Sequence, residues 1–114
     1  MEYFDCDIVG GDPTGRTIRS TTGIPQPAQA EVIPSVVAEK QAQLKSGTEL
    51  SINVWRSPAG EVYILDGQHR FVACCIEKTK IRLNWKQVGF PAYRNGWGAT
   101  RYANITPAKE RLKR

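Results

Sequence analysis

Apolar and polar positions fall into a clear succession of periods from Ile33 onward. Over residues 33–46, Ile33, Val36, Val37 and Leu44 recur on one side of a 3.6-residue repeat, with Glu39, Lys40, Gln43 and Lys45 elsewhere. That spacing predicts a helix opening at Pro34-Ser35 and closing at Gly47. Residues 51–56 alternate instead, Ile52 and Val54 against Asn53 and Trp55. Residues 61–65, Glu61-Val62-Tyr63-Ile64-Leu65, form a second extended run. Ser57-Pro58-Ala59-Gly60 between the two is a turn, and the three pieces together predict a β-hairpin. Gln68 to Lys78 returns to helical spacing, pairing Phe71 with Cys75 and Val72 with Ile76. Residues 80–88 alternate again, with Ile81, Leu83 and Trp85 on one face and Lys80, Arg82, Asn84 and Lys86 on the other. The order helix, strand, strand, helix, strand predicts an α+β domain with a mixed sheet and a few helices.

The flanks carry weaker patterns. Residues 1–23 read as an irregular N-terminal segment, with a turn at Gly10-Gly11-Asp12-Pro13 and a strand fragment at most near Thr17 to Arg19. Gly23-Ile24-Pro25-Gln26-Pro27 reads as extended or polyproline-like. Residues 89–105 are rich in glycine and aromatics. Thr106-Pro107 to Arg114 reads as a short capped basic helix. The expected layout is one domain over 1–114, with its core at 24–88 and a basic segment at 89–114.

Composition narrows the classes. A chain of 114 residues is one domain's worth. No apolar run reaches the ~18 residues of a membrane span, and Met1 to Gly10 lacks the basic and apolar regions of a secretory signal. The net charge of +5 is unevenly placed: residues 79–114 hold nine cations against Glu110 alone. A basic end points to a polyanionic partner (nucleic acid, anionic lipid or an acidic protein) or serves solubility alone. The three cysteines, Cys6, Cys74 and Cys75, are too few and badly spaced for a disulfide framework, and read as small core residues. With His69 the only histidine, a zinc site of Cys and His ligands is not expected.

The segment Asp66 to Arg70 concentrates the chemistry. A strand end delivers Asp66, and Gly67 permits a tight turn. The following helix start offers unpaired N–H groups and the positive end of its dipole, which attract anions. Arg70 adds a fork suited to phosphate, and His69 exchanges protons near neutral pH. Asp66 is suited to hold a metal ion, orient His69 or act as a base. The set fits phosphoryl or phosphodiester chemistry. The same residues also fit a plain helix start, capped by Asp66 with Arg70 in solvent.

The stretch Tyr63-Ile64-Leu65-Asp66-Gly67-Gln68-His69-Arg70-Phe71-Val72-Ala73 resembles the central motif of the ParB/sulfiredoxin-like superfamily. Its members carry an apolar strand, then Asp-Gly-Gln-His-Arg or a variant of it, then a helix. The preceding helix, the Gly47 exit and the hairpin match in order, so the resemblance covers residues 24–88. It implies a ParB-like fold whose motif loop meets phosphates. Sulfiredoxins place a cysteine where Gln68 stands here. ParB proper adds a helix-turn-helix domain, and the related free-serine kinases carry a His pair and a larger substrate domain. The pattern is most similar to ParB-like domains at the ends of bacterial polymorphic toxins, regarded as nucleases; Asp12-Pro13-Thr14-Gly15 is similar to a toxin junction.

On that resemblance the expected activity is cleavage of DNA or RNA. Asp66, His69 and Arg70 are the catalytic candidates, with a divalent ion such as Mg²⁺ on Asp66. Gly67, Gln68, Lys80, Arg82, Lys86, Arg94 and Arg101 are the phosphate or nucleic-acid contacts, and Tyr93, Trp97 and Tyr102 are candidates either to stack bases or to fill the core. A toxin of this kind implies an acidic immunity protein and a cytoplasmic site of action, reached as part of a larger effector. Two rival readings use the same loop: a nucleotide-dependent ATPase or small kinase, and a non-catalytic nucleotide- or nucleic-acid-binding module.

Overall fold

The structure is a computed structural model and describes residues 2–19 and 23–103. A short strand β1 (Glu2–Asp5) runs into a 3-10 turn at Cys6–Val9. After an extended stretch come β2 (Glu31–Val32) and α1 (Pro34–Lys45). The hairpin β3 (Ser51–Arg56) and β4 (Val62–Asp66) follows, then α2 (Gln68–Glu77) and β5 (Lys80–Trp85). A 3-10 turn at Trp97–Ala99 leads to β6 (Arg101–Tyr102).

The main sheet has the order β1-β5-β3-β4 and is mixed: β3 pairs antiparallel with β4 and parallel with β5, and β1 closes the far side antiparallel to β5. The domain is therefore α+β. A parallel β3–β5 pair needs a crossover, and β4 with α2 supplies it. β2 and β6 form a separate parallel pair of two residues each. Among the described residues no helix is long and apolar enough to cross a membrane.

One face of the sheet is buried. Ile52, Val54, Ile64 and Ile81 meet Phe71 to Cys75 of α2, all five of which are buried, and α1 packs on α2 through Val37 and Leu44. A helix with five consecutive buried residues is covered on several sides: by the sheet, by α1, and by the 3-10 turn carrying Cys6 and Val9. All three cysteines are buried free thiols in this core. Phe71 anchors a ring cluster, with Phe4 of β1 tilted against it at 5.8 Å and Trp97 stacked on it at 5.6 Å.

Four expectations need correcting. Thr17 to Arg19 forms no strand; the N-terminal strand is Glu2–Asp5, held by the free edge of β5. The strand expected over 80–88 stops at Trp85, so Lys86 lies past its end, although its N–H still donates to Val54 O at 2.8 Å. The helix expected to reach Lys78 ends at Glu77, because Lys78 turns into the left-handed region at φ 57°. The second hairpin strand runs one residue later than expected, which brings Asp66 into β4. The basic helix expected over Thr106 to Arg114 lies outside the described residues.

Candidate functional site

The β4–α2 junction forms a pocket of about 360 Å³, lined by Leu65 to Arg70, by Ala28 and Gln29, and by Val36 and Lys40 of α1. Gly67 makes the turn at φ 103°, a conformation that favours glycine. The first helical bond of α2 runs from Phe71 N–H to Gly67 O at 3.0 Å. Gln68, His69 and Arg70 are thus left with N–H groups that find no acceptor among the described residues, and no side chain caps this helix. Among the described residues Lys40 and Arg70 bring two cations to the pocket, against the single carboxylate of Asp66. Arg70 Nη2 lies 3.1 Å from Asp66 Oδ2, and Asp66 is 70% exposed. The pair is open to solvent, so parting it costs the fold little.

Gln68 and His69 also border the pocket, but their side chains are tied to the incoming chain. Gln68 is 4% exposed and clamps the incoming chain. Its Oε1 accepts from Ala28 N–H at 2.6 Å and Gln29 N–H at 2.9 Å, and its Nε2 donates to Gln29 O at 3.0 Å. His69 Nε2 accepts from Ile33 N–H at 3.0 Å, at the start of α1. The middle of the motif therefore fastens residues 28–33, and through them α1, to α2. This bond requires a neutral imidazole with the proton on Nδ1.

Burial, followed by the nearby Lys40 charge, holds the His69 pKa below its ordinary value. The unfolded chain then takes up a proton near pH 6.5 that the folded chain refuses, so this contribution is complete above about 6.5 and declines as pH falls. Thermal melts from pH 7.5 to 5 are expected to show a steeper drop for the parent than for His69→Gln, whose amide oxygen keeps an acceptor without titrating. Parallel curves would remove His69 from this role.

The other expected contacts do not converge here. Lys80 and Arg82 sit on β5, separated from β4 by β3, and face Asp5 and Tyr3 of β1 in register. Arg94 lines a separate groove beside Trp55 and Tyr63. Arg101 lies on β6 opposite Glu31. Lys86 follows β5 and is exposed. Trp97 is fully buried and donates from Nε1 to Pro25 O at 2.8 Å, a core role. The Tyr102 hydroxyl donates to Asp12, and the Tyr93 hydroxyl is buried. Lys40 and Val36 are what the sequence did not signal: they enter the pocket only because α1 packs against α2.

The fold is a small α+β domain, and at this junction the α2 start, with N–H groups that find no acceptor among the described residues, lies beside Lys40 and Arg70. Neither protein-family models nor curated proteins nor solved structures provide a match to the chain.

Proposed function

We propose that this chain is a ParB-like domain that binds a nucleotide, free or within a strand, by its phosphates at the start of α2. The supporting observation is the convergence on one pocket of three unpaired N–H groups, Lys40 and Arg70. Helix dipole, N–H groups and guanidinium all favour the same charge. Among the described residues Asp66 is the one carboxylate lining the pocket, and no three His, Cys, Asp or Glu side chains are grouped to hold a metal. Asp66, with its exposed carboxylate, is the residue that would hold a Mg²⁺ ion there. Bound so, it would supply charge neutralisation on the phosphates.

Calorimetric titration with ATP, GTP, CTP and UTP, with Mg²⁺ or EDTA, tests the reading. Arg70→Ala is expected to weaken binding at least tenfold, the worth of a charge-assisted bond, and Lys40→Gln several-fold. Circular dichroism should stay unchanged, since Arg70 pairs only with an exposed partner. Absence of binding at millimolar nucleotide, with the parent folded, overturns it.

A second reading, phosphodiester cleavage by a toxin-type nuclease, draws on the six cations and no acid across residues 78–103. There Asp66 orients the attacking water, and Arg70 with the α2 N–H groups stabilises the charged phosphorane. Asp66→Asn separates the readings: nuclease action on plasmid or total RNA is lost while nucleotide binding persists without Mg²⁺. An acidic immunity protein belongs to this second reading.

A further inference from the structure

We propose that the loop from Lys86 to Arg94 is a contact site for single-stranded nucleic acid, in which a base stacks on Phe90 while Lys86 and Arg94 hold neighbouring phosphates. Phe90 is 81% exposed and Val88 is 87% exposed, so two large apolar side chains stand in water. The tip that presents them packs against the domain. Gly89 lies so close to the Trp55 ring that a Cβ there would come within 2.6 Å of Trp55 Cγ, and Pro91 behind it is buried. An aromatic ring on a backbone anchored on both sides by packing loses less freedom when a base settles on it.

The surroundings match a phosphate chain. The loop itself carries two cations, Lys86 and Arg94, and no acid, and no carboxylate among the described residues pairs with either in an ion pair. Beside the tip runs a groove of about 270 Å³ with Trp55, Pro58, Tyr63, Pro91 and Arg94 in its walls. The one acid lining it among the described residues, Glu61, is engaged by the Tyr63 hydroxyl at 3.1 Å. Sequence patterning offered Tyr93, Trp97 and Tyr102 as stacking rings, whereas Phe90 is the most exposed large aromatic ring among the described residues. An acidic protein would meet the same cations, but two apolar side chains are a small core for a specific protein interface, which buries about 1,600 Å². Base stacking needs one open ring and cations along the backbone, which is what the loop provides. The site is separate from the α2 pocket and does not depend on a phosphate binding there.

The test is fluorescence anisotropy with a labelled dT12 strand and a labelled rU12 strand over a range of salt. Phe90→Ala is expected to weaken binding about tenfold, and the exposed position leaves the melting temperature unchanged. Lys86→Gln with Arg94→Gln should flatten the slope of log K against log salt by about 1.4, two contacts at the single-strand value. Arg70→Ala, which disables the α2 pocket, should keep the Phe90 dependence; loss of nucleotide binding alone therefore leaves this site standing. Failure of the parent to bind either strand at low salt overturns the proposal, as does unchanged affinity in Phe90→Ala. Phe90-dependent binding to anionic phosphatidylglycerol vesicles or to polyglutamate, without strand binding, also overturns it and reassigns the loop.

Discussion

Trp97→Ala is expected to cost the domain about 4 kcal/mol of stability, enough to bring an ordinary small protein near unfolding. The indole is fully buried, stacks on Phe71 with the planes 22° apart, and donates to Pro25 O at 2.8 Å. Truncation leaves a cavity beside α2 and a buried carbonyl without its donor, and both terms act in the same direction. Pro25 belongs to the segment bridged to β4, so the loss also loosens the chain leading into the pocket. Differential scanning calorimetry should show a melting temperature lower by about 15 °C or more. Trp97→Phe, which keeps a ring but loses the N–H, should fall between the two. A melt within a few degrees of the parent would contradict the core assignment.

Gly67→Ala is expected to lose about 3 kcal/mol through two separate causes. The first is the backbone, since φ 103° is unfavourable for any residue with a Cβ. The second is contact: the new methyl would meet Ile52 Cγ2 at 2.8 Å and the Arg70 guanidinium at 2.9 Å. Arg70 swings aside easily, but Ile52 sits in the core and does not. Gly60→Ala separates the two causes, because Gly60 also has positive φ, at 90°, with nothing within 4 Å of the added methyl. Urea melts should show the smaller loss at Gly60. Nucleotide affinity should fall only in the Gly67 variant, where the first turn of α2 is displaced. Equal losses at both positions would remove the Ile52 contact from the account.

How much was legible in sequence depends on where the shaping forces lie. From Pro34 to Trp85 the hydrophobic period alone marks both helices and three strands, with boundaries moved by a residue or a few. β1 escaped because Glu2-Tyr3-Phe4-Asp5 has one inward apolar residue, Phe4, and is a strand chiefly through its ladder to β5. β2 and β6 are two residues each and carry no period. At the site, Asp66, Gly67 and Arg70 stand out from local chemistry. Nothing along the chain shows that Gln68 reaches back 40 residues to Ala28, or that His69 meets Ile33. Lys40 fell outside the helix's apolar side in sequence, and the packing of α1 on α2 is what aims it at the pocket.

The two margins of the main sheet are closed by different means. Beyond β4 lies Gln26, whose N–H donates to Val62 O at 2.8 Å and whose carbonyl accepts from Ile64 N–H at 2.9 Å. It is flanked by Pro25 and Pro27, both buried and both without an N–H to offer another strand. On the opposite margin β1 is four residues long and ends in the exposed acids Glu2 and Asp5. An open strand edge is a template for pairing between molecules, and short, charged or proline-flanked borders suppress it. The sheet is thus finished at both ends, and sheet-to-sheet aggregation between copies is discouraged without any help from a partner.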